Sequence, residues 1–129
     1  MTELIKIQEI VYTTINGLGL SCDVTIPETS AFPYIEIGEA TAQTQPNQYT
    51  NIVDVIHEVN ILGLDSGTGE LLSISAKIID AFDKYQNDDY NGYSVYFEKV
   101  ESCQIYKVMI DDVLQRYLEL KLHFVISKN

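Results

Sequence analysis

The stretch RYLELKLHFVI, Arg116 to Ile126, constrains the fold more than any other in the chain. Leu118, Leu120, Leu122, Phe124 and Ile126 recur at every second position, with Tyr117, Glu119, Lys121 and His123 between them. A period of two belongs to a strand, whose successive side chains leave opposite faces. One of those faces is apolar and the other polar, so the strand needs cover on one side only. That is the pattern of an antiparallel sheet with a single packed face. Asp111 and Asp112 mark the turn that precedes the strand.

The cover is supplied by two amphipathic helices. Thr2 suits an N-cap and Glu3 a first turn, and Leu4, Ile7, Val11 and Ile15 keep helical spacing until Asn16 and Gly17 stop the pattern. A second stripe, Leu71, Ile74, Ile78, Phe82 and Tyr85, follows a glycine-rich turn in which Ser66 or Thr68 serves as cap. YIEIGEA and NIVDVIHEVNIL read as neighbouring antiparallel strands, and YSVYFEKV and CQIYKVMI as two further β-rich segments. The expected architecture is α+β, a mainly antiparallel sheet of about four to five strands with two helices packed on one face. The stretch TAQTQPNQYTN, residues 41–51, is too polar for a core and too short for a domain linker, so it reads as a projecting polar hairpin arm on a single domain.

A chain of 129 residues with 46% hydrophobic content is one domain, able to bury roughly two thirds of its unfolded surface without metal or disulfide staples. Neither an export signal nor an apolar run near the ~20 residues that cross a bilayer is present, so the expectation is a soluble, intracellular product with no membrane partner. Cys22 and Cys103 lack metal-like spacing and read as reduced thiols. The net charge of −11 argues against a protein that grips nucleic acid, since such affinity comes from Lys and Arg. Between Lys6 and Lys77 there is no Lys or Arg, while Glu9, Asp23, Glu28, Glu36, Glu39, Asp54, Glu58, Asp65 and Glu70 contribute −9. Such a one-signed segment is a solvated face, a surface for a basic partner, or a surface that must not hold DNA.

Chemical motifs are approached and missed. NDDYNGYSVYFE, Asn87 to Glu98, has the sixth-position glycine and twelfth-position glutamate of a calcium loop, with Asn87 in place of the first aspartate. Strands rather than a second helix follow Gly92, and Asn87, Asp88 and Asp89 read as turn residues, so no calcium site is expected. GLDSGTGE lacks the Lys and Ser or Thr of a phosphate loop and carries Asp65 and Glu70, which would repel a triphosphate. His57 and His123 lack metal-ligand spacing and read as strand surface residues. A meeting of either with strand carboxylates such as Glu58 or Glu119 would be the one route to a metal or acid/base site. No cofactor and no catalytic residue is assigned.

The order of elements, with FPYIEIGEA, a polar hairpin, IVDVIHEVNIL, a glycine-rich turn, a helix and an ending in DDVLQRYLELKLHFVI, resembles the tail terminator, or tail-to-head joining, proteins of long-tailed double-stranded DNA bacteriophages. The likeness runs from the first helix to the last strand. It rests on the Pro33-Tyr34 entry into a strand, the apolar strand before the long helix, and the Asp111 or Asp112, Arg116, alternating-strand ending. The family often has an aromatic residue at the end of the pre-helix strand, where this chain has Leu62 and Gly63. The resemblance implies an α+β subunit of a six-membered ring at the head–tail junction of a virion, assembled in the host cytoplasm. Its partners would be copies of itself, the major tail tube protein and the head completion or connector protein, with DNA passing through unbound. Gln43, Gln45, Pro46, Asn47, Gln48 and Tyr49 of the arm, together with Arg116, are the residues expected to meet a neighbouring copy or the tube.

Two other classes stay open on the residues alone. An acidic monomeric adaptor or inhibitor would engage a basic protein partner through the one-signed segment. A small enzyme would use the histidines and carboxylates and show metal or substrate dependence.

Overall fold

The computed structural model describes residues 2–20, 22–23, 33–44, 52–64 and 67–129. The elements run α1 (Thr2–Gly17), β1 (Cys22–Asp23), β2 (Tyr34–Thr44), β3 (Ile52–Leu64), α2 (Thr68–Phe82), β4 (Gln86–Tyr90), β5 (Tyr93–Ile110) and β6 (Val113–Lys128). The strands form one sheet in the order β1-β2-β3-β6-β5-β4. β2 to β6 make antiparallel ladders, and β1 adds a two-residue parallel edge, pairing Cys22 with Ile35 and Asp23 with Glu36. The fold is α+β, as expected, with the short parallel edge added.

The alternation of β6 decides the layering. Leu118, Leu120, Leu122, Phe124 and Ile126 are all fully buried, and they share a core with Ile35 and Ile37 of β2 and Val53, Val55, Val59 and Ile61 of β3. Onto this face α1 sets Ile7, Ile10, Val11 and Ile15, and α2 sets Leu71, Ile74, Ile78 and Phe82. Phe82 and Phe124 meet edge to face with centroids 5.2 Å apart, and Phe97 lies 5.4 Å from Phe124, closing one end of the core with aromatic contacts. Gly63 explains the absence of an aromatic at the end of β3. A Cβ there would come within 2.9 Å of Leu71 Cδ2, so the bare backbone is what lets the start of α2 sit down on the sheet.

Three local expectations change. First, YSVYFEKV and CQIYKVMI are parts of one strand, β5, which absorbs register shifts between Phe97 and Lys99 and between Val100 and Ser102 as bulges rather than breaking. Second, Asn87, Asp88 and Asp89 belong to the short strand β4 and not to a turn; the turn is Asn91-Gly92, at φ of 51° and 88°, which joins β4 to β5 as a hairpin. Within β4, Asn87 Oδ1 accepts from Asp89 N at 3.0 Å and Asp89 Oδ1 from Gly92 N at 3.3 Å, so these side chains fold back on their own backbone. Third, the residue at the N-cap of α2 is Gly67, with no side-chain cap bond, and Thr68 is already helical; Ser66 lies outside the described residues. The strand expected after Gly92 is present. Asp111 and Asp112 form the β5–β6 turn, at φ of 51° and 64°.

Candidate functional site

Among the described residues both helices lie on one side of the sheet, and the other side is the candidate surface. By register it carries Glu36 of β2, Asp54, Glu58 and Asn60 of β3, Tyr117, Glu119, Lys121 and His123 of β6, and Lys99 and Gln104 of β5. Two polar networks organise it. In the first, the Tyr117 hydroxyl donates to Asn60 Oδ1 at 2.8 Å, and Asn60 Nδ2 donates to Glu36 Oε1 at 3.3 Å. Asn60 is only 6% exposed, so both ends of its amide are held where water scarcely reaches. A bulge positions this network. The β2–β3 register shifts between Ile37 and Ala40, and at Gly38 a Cβ would stand 2.9 Å from Asn60 Nδ2 and 3.1 Å from the Glu58 carbonyl oxygen. Only glycine lets the two strands close over Asn60 there.

Carboxylates crowd around this amide. Desolvation, then hydrogen bonding and repulsion from Glu119, push the Glu58 carboxyl above its ordinary pKa, with Lys121 partly opposing. Desolvation followed by the charges of Glu58, Glu119 and Glu36 pushes the Tyr117 phenol strongly upward, so it remains a hydrogen-bond donor. The second network centres on His123, whose Nε2 lies 2.9 Å from Asp54 Oδ1 and whose Nδ1 lies 3.1 Å from Glu101 Oε1. Glu101 is the extra residue of the second β5 bulge, which turns its side chain toward the ring. The two carboxylates grip opposite nitrogens, so they share no point where an ion could sit. Among the described residues no group of three or more His, Cys, Asp or Glu has the arrangement to hold a metal ion.

His57 is not a surface residue. It occupies the core row between Val55 and Val59 and is fully buried, with Nδ1 3.1 Å from the Glu58 carbonyl oxygen and Nε2 without a hydrogen-bond partner among the described residues. Desolvation lowers its pKa, so it sits in the core as the neutral ring. The carboxylates that meet a histidine are therefore Asp54 and Glu101, not Glu58 or Glu119. Register and a bulge brought them to His123, and neither is visible in residue spacing.

The expected interface residues are not gathered at one place. Gln43 is exposed near the end of β2, paired with Asp54, whereas Arg116 is half-buried at the opposite end of the sheet, between Gly63 and Lys107. Thr41, Ala42, Gln43 and Thr44, the beginning of the expected arm, continue the β2 ladder opposite Ile56 to Val53. Gln45, Pro46, Asn47, Gln48 and Tyr49 lie outside the described residues. An unexpected surface appears instead at the β5–β6 hairpin tip, where Met109 and Val113 are 64% and 50% exposed and Tyr106 and Leu114 are also open to solvent. Its signal was the apolar run in KVMI and VL flanking two aspartates.

No family model matches the sequence, and no curated protein matches it. Among solved structures, a chain of the virion of a native gene transfer agent particle matches with a TM-score of 0.64 over 93% of this chain and 93% of that chain, at 12% identity. The two chains share a fold. The agreement extends over nearly all of each chain rather than one motif. Among the described residues no helix is long and apolar enough to cross a membrane.

Proposed function

We propose that this chain is a structural virion protein that caps a phage tail tube as a ring, ends tail polymerisation and forms the docking surface for the head connector. The observation that carries the reading is the fold shared with a gene transfer agent virion chain over 93% of both lengths. The residue-level likeness to tail terminators supports the finer role. The helix-free sheet face suits a surface past which DNA slides, because Glu36, Asp54, Glu58 and Glu119 repel phosphate and the lysines there are engaged, Lys121 with Glu119 at 3.7 Å and Lys99 with Glu101 at 3.5 Å. The expected contacts to tube and neighbour remain Gln43, residues 45–49 and Arg116, with the tube protein, the connector and further copies of this chain as partners at the head–tail junction.

The test is genetic and visual. Particles produced without this gene are examined by electron microscopy, and purified protein is then added to tails assembled in its absence. Unjoined heads and tails of abnormal length, corrected by the added protein, are expected. Normal-length, head-competent tails made without the protein would reject capping and favour a monomeric acidic adaptor that engages a basic protein.

A further inference from the structure

Among the described residues the sheet has two uncovered edges. β4 covers β5 only at Tyr93, Val95 and Tyr96, and Phe97 N donates to Tyr85 O, so from Glu98 to Ile110 no described residue pairs with the outer edge of β5. On the other side β1 covers β2 only at Ile35 and Glu36, leaving Ile37 to Thr44 without a described neighbour. Edges that stay free in solution are normally blunted by proline, charge or bulges. The upper part of the β5 edge has that protection, in two bulges with Glu98, Lys99 and Glu101. The part from Ser102 to Ile110 has no proline, a single charge at Lys107, and the exposed Tyr106 and Met109.

We propose that the edge of β5 left uncovered by the described residues pairs with the corresponding edge of β2 of a second copy of this chain, so that the sheet continues from copy to copy. Charge selects this occupant. The chain carries −11, yet Glu98, Lys99, Glu101 and Lys107 balance along the β5 edge, and Ile37 to Thr44 of β2 bear one charge, Glu39, at the bulge beside Gly38. A balanced edge facing one with a single charge is where two like-charged copies approach with the least repulsion. Direction agrees as well. Each neighbouring pair from β2 through β3 and β6 to β5 is antiparallel, so β2 and β5 run oppositely within one copy. A second copy set alongside in the same orientation then brings its β2 antiparallel to β5, with the same ladder geometry as the rest of the sheet. The contact joins different surfaces, so it adds copies in series and does not end at a dimer. Through β3 and β6, Thr41 lies level with Lys99 and Ile37 with Cys103, so the bare edges overlap but are offset along the strands. A closed sheet accommodates such an offset by tilting its strands. The pairing deepens the ring reading and rests on it for closure alone.

Cys103 supplies the test, since it is exposed and lies opposite Leu120 on the helix-covered side of β5. Full-length variants Ala40→Cys and Ala42→Cys place a thiol on that same side of β2, and Thr41→Cys and Gln43→Cys place one on the opposite side. Under mild oxidation in high salt, the first pair is expected to give a ladder of disulfide-linked dimers, trimers and higher species that Cys103→Ser abolishes, and the second pair to give none. Met109→Glu is expected to weaken association about tenfold by adding like charge, without lowering the melting midpoint. Dimers through Cys103 alone, equal cross-linking from both sides of β2, cross-links at none of the four positions, or a chain monomeric throughout would each overturn the pairing. Tails capped normally by a chain that cross-links at none of them would remove the edge pairing and leave capping intact. A ladder formed by a chain whose loss leaves tails normal would do the reverse.

Discussion

His57 sits in the core with one ring nitrogen unsatisfied, and its burial holds the pKa below the ordinary 6.5. The unfolded chain therefore binds the proton first as pH falls. The stability held by the neutral ring is complete above pH 6.5 and is lost progressively beneath it. His57→Leu is expected to flatten the fall in denaturant midpoint below that pH; an unchanged pH profile would show that another group governs it. Glu58 behaves oppositely. Its raised carboxyl favours the folded state when protonated, so its contribution is present below the ordinary 4.5 and is lost as pH rises through the folded value. Glu58→Gln is expected to stabilise the fold at pH 7 by less than about 1 kcal/mol, because the group is largely solvent-screened. The gain should vanish in acid titrations. The core place of His57 was legible, since Val53, Val55, Val59 and Ile61 set its row, but a polar residue type outweighed the period. The Asn60 network was not legible, because it depends on a bulge at Gly38 that no spacing rule announces.

Among the elements, α1, α2 and β6 were readable because each has one strong apolar period. β5 was read in two pieces because its bulges switch the alternation twice, at Glu98 and Glu101, and β4 was missed because its asparagine and aspartates are turn formers held extended by pairing to β5. The two-residue hairpin turns need positive φ at both positions. Asn91-Gly92 meets that need cheaply, whereas Asp111-Asp112 places two side chains in the left-handed region at φ of 51° and 64°. Asp112→Gly is expected to stabilise the protein by about 1 kcal/mol. In a calorimetric scan that is a rise of roughly 3–5 °C in the melting midpoint. No rise would mean that the aspartate side chains already compensate for the backbone.

At the scale of the molecule, copies carrying −11 repel one another over a Debye length of about 10 Å at 0.1 M salt. Sedimentation velocity is expected to show association strengthening between about 0.05 M and 0.5 M salt, the range over which that repulsion is screened. Association that weakens with salt would assign the contact to opposite charges instead of neutral edges. The overall architecture was legible from length, charge and periodicity, whereas the strand order was not, because no local pattern tells which strands are neighbours. That order has a consequence for how the protein is made. β6 lies between β3 and β5, yet it is the last of the six described strands to leave the ribosome. Until it emerges, β2 with β3 and β4 with β5 are two separate hairpins with no central strand to join them, and the most distant contacts in sequence form last. The translated chain cannot join its two hairpins until β6 has been made, and a product cut short before Val113 lacks the strand that makes them one sheet.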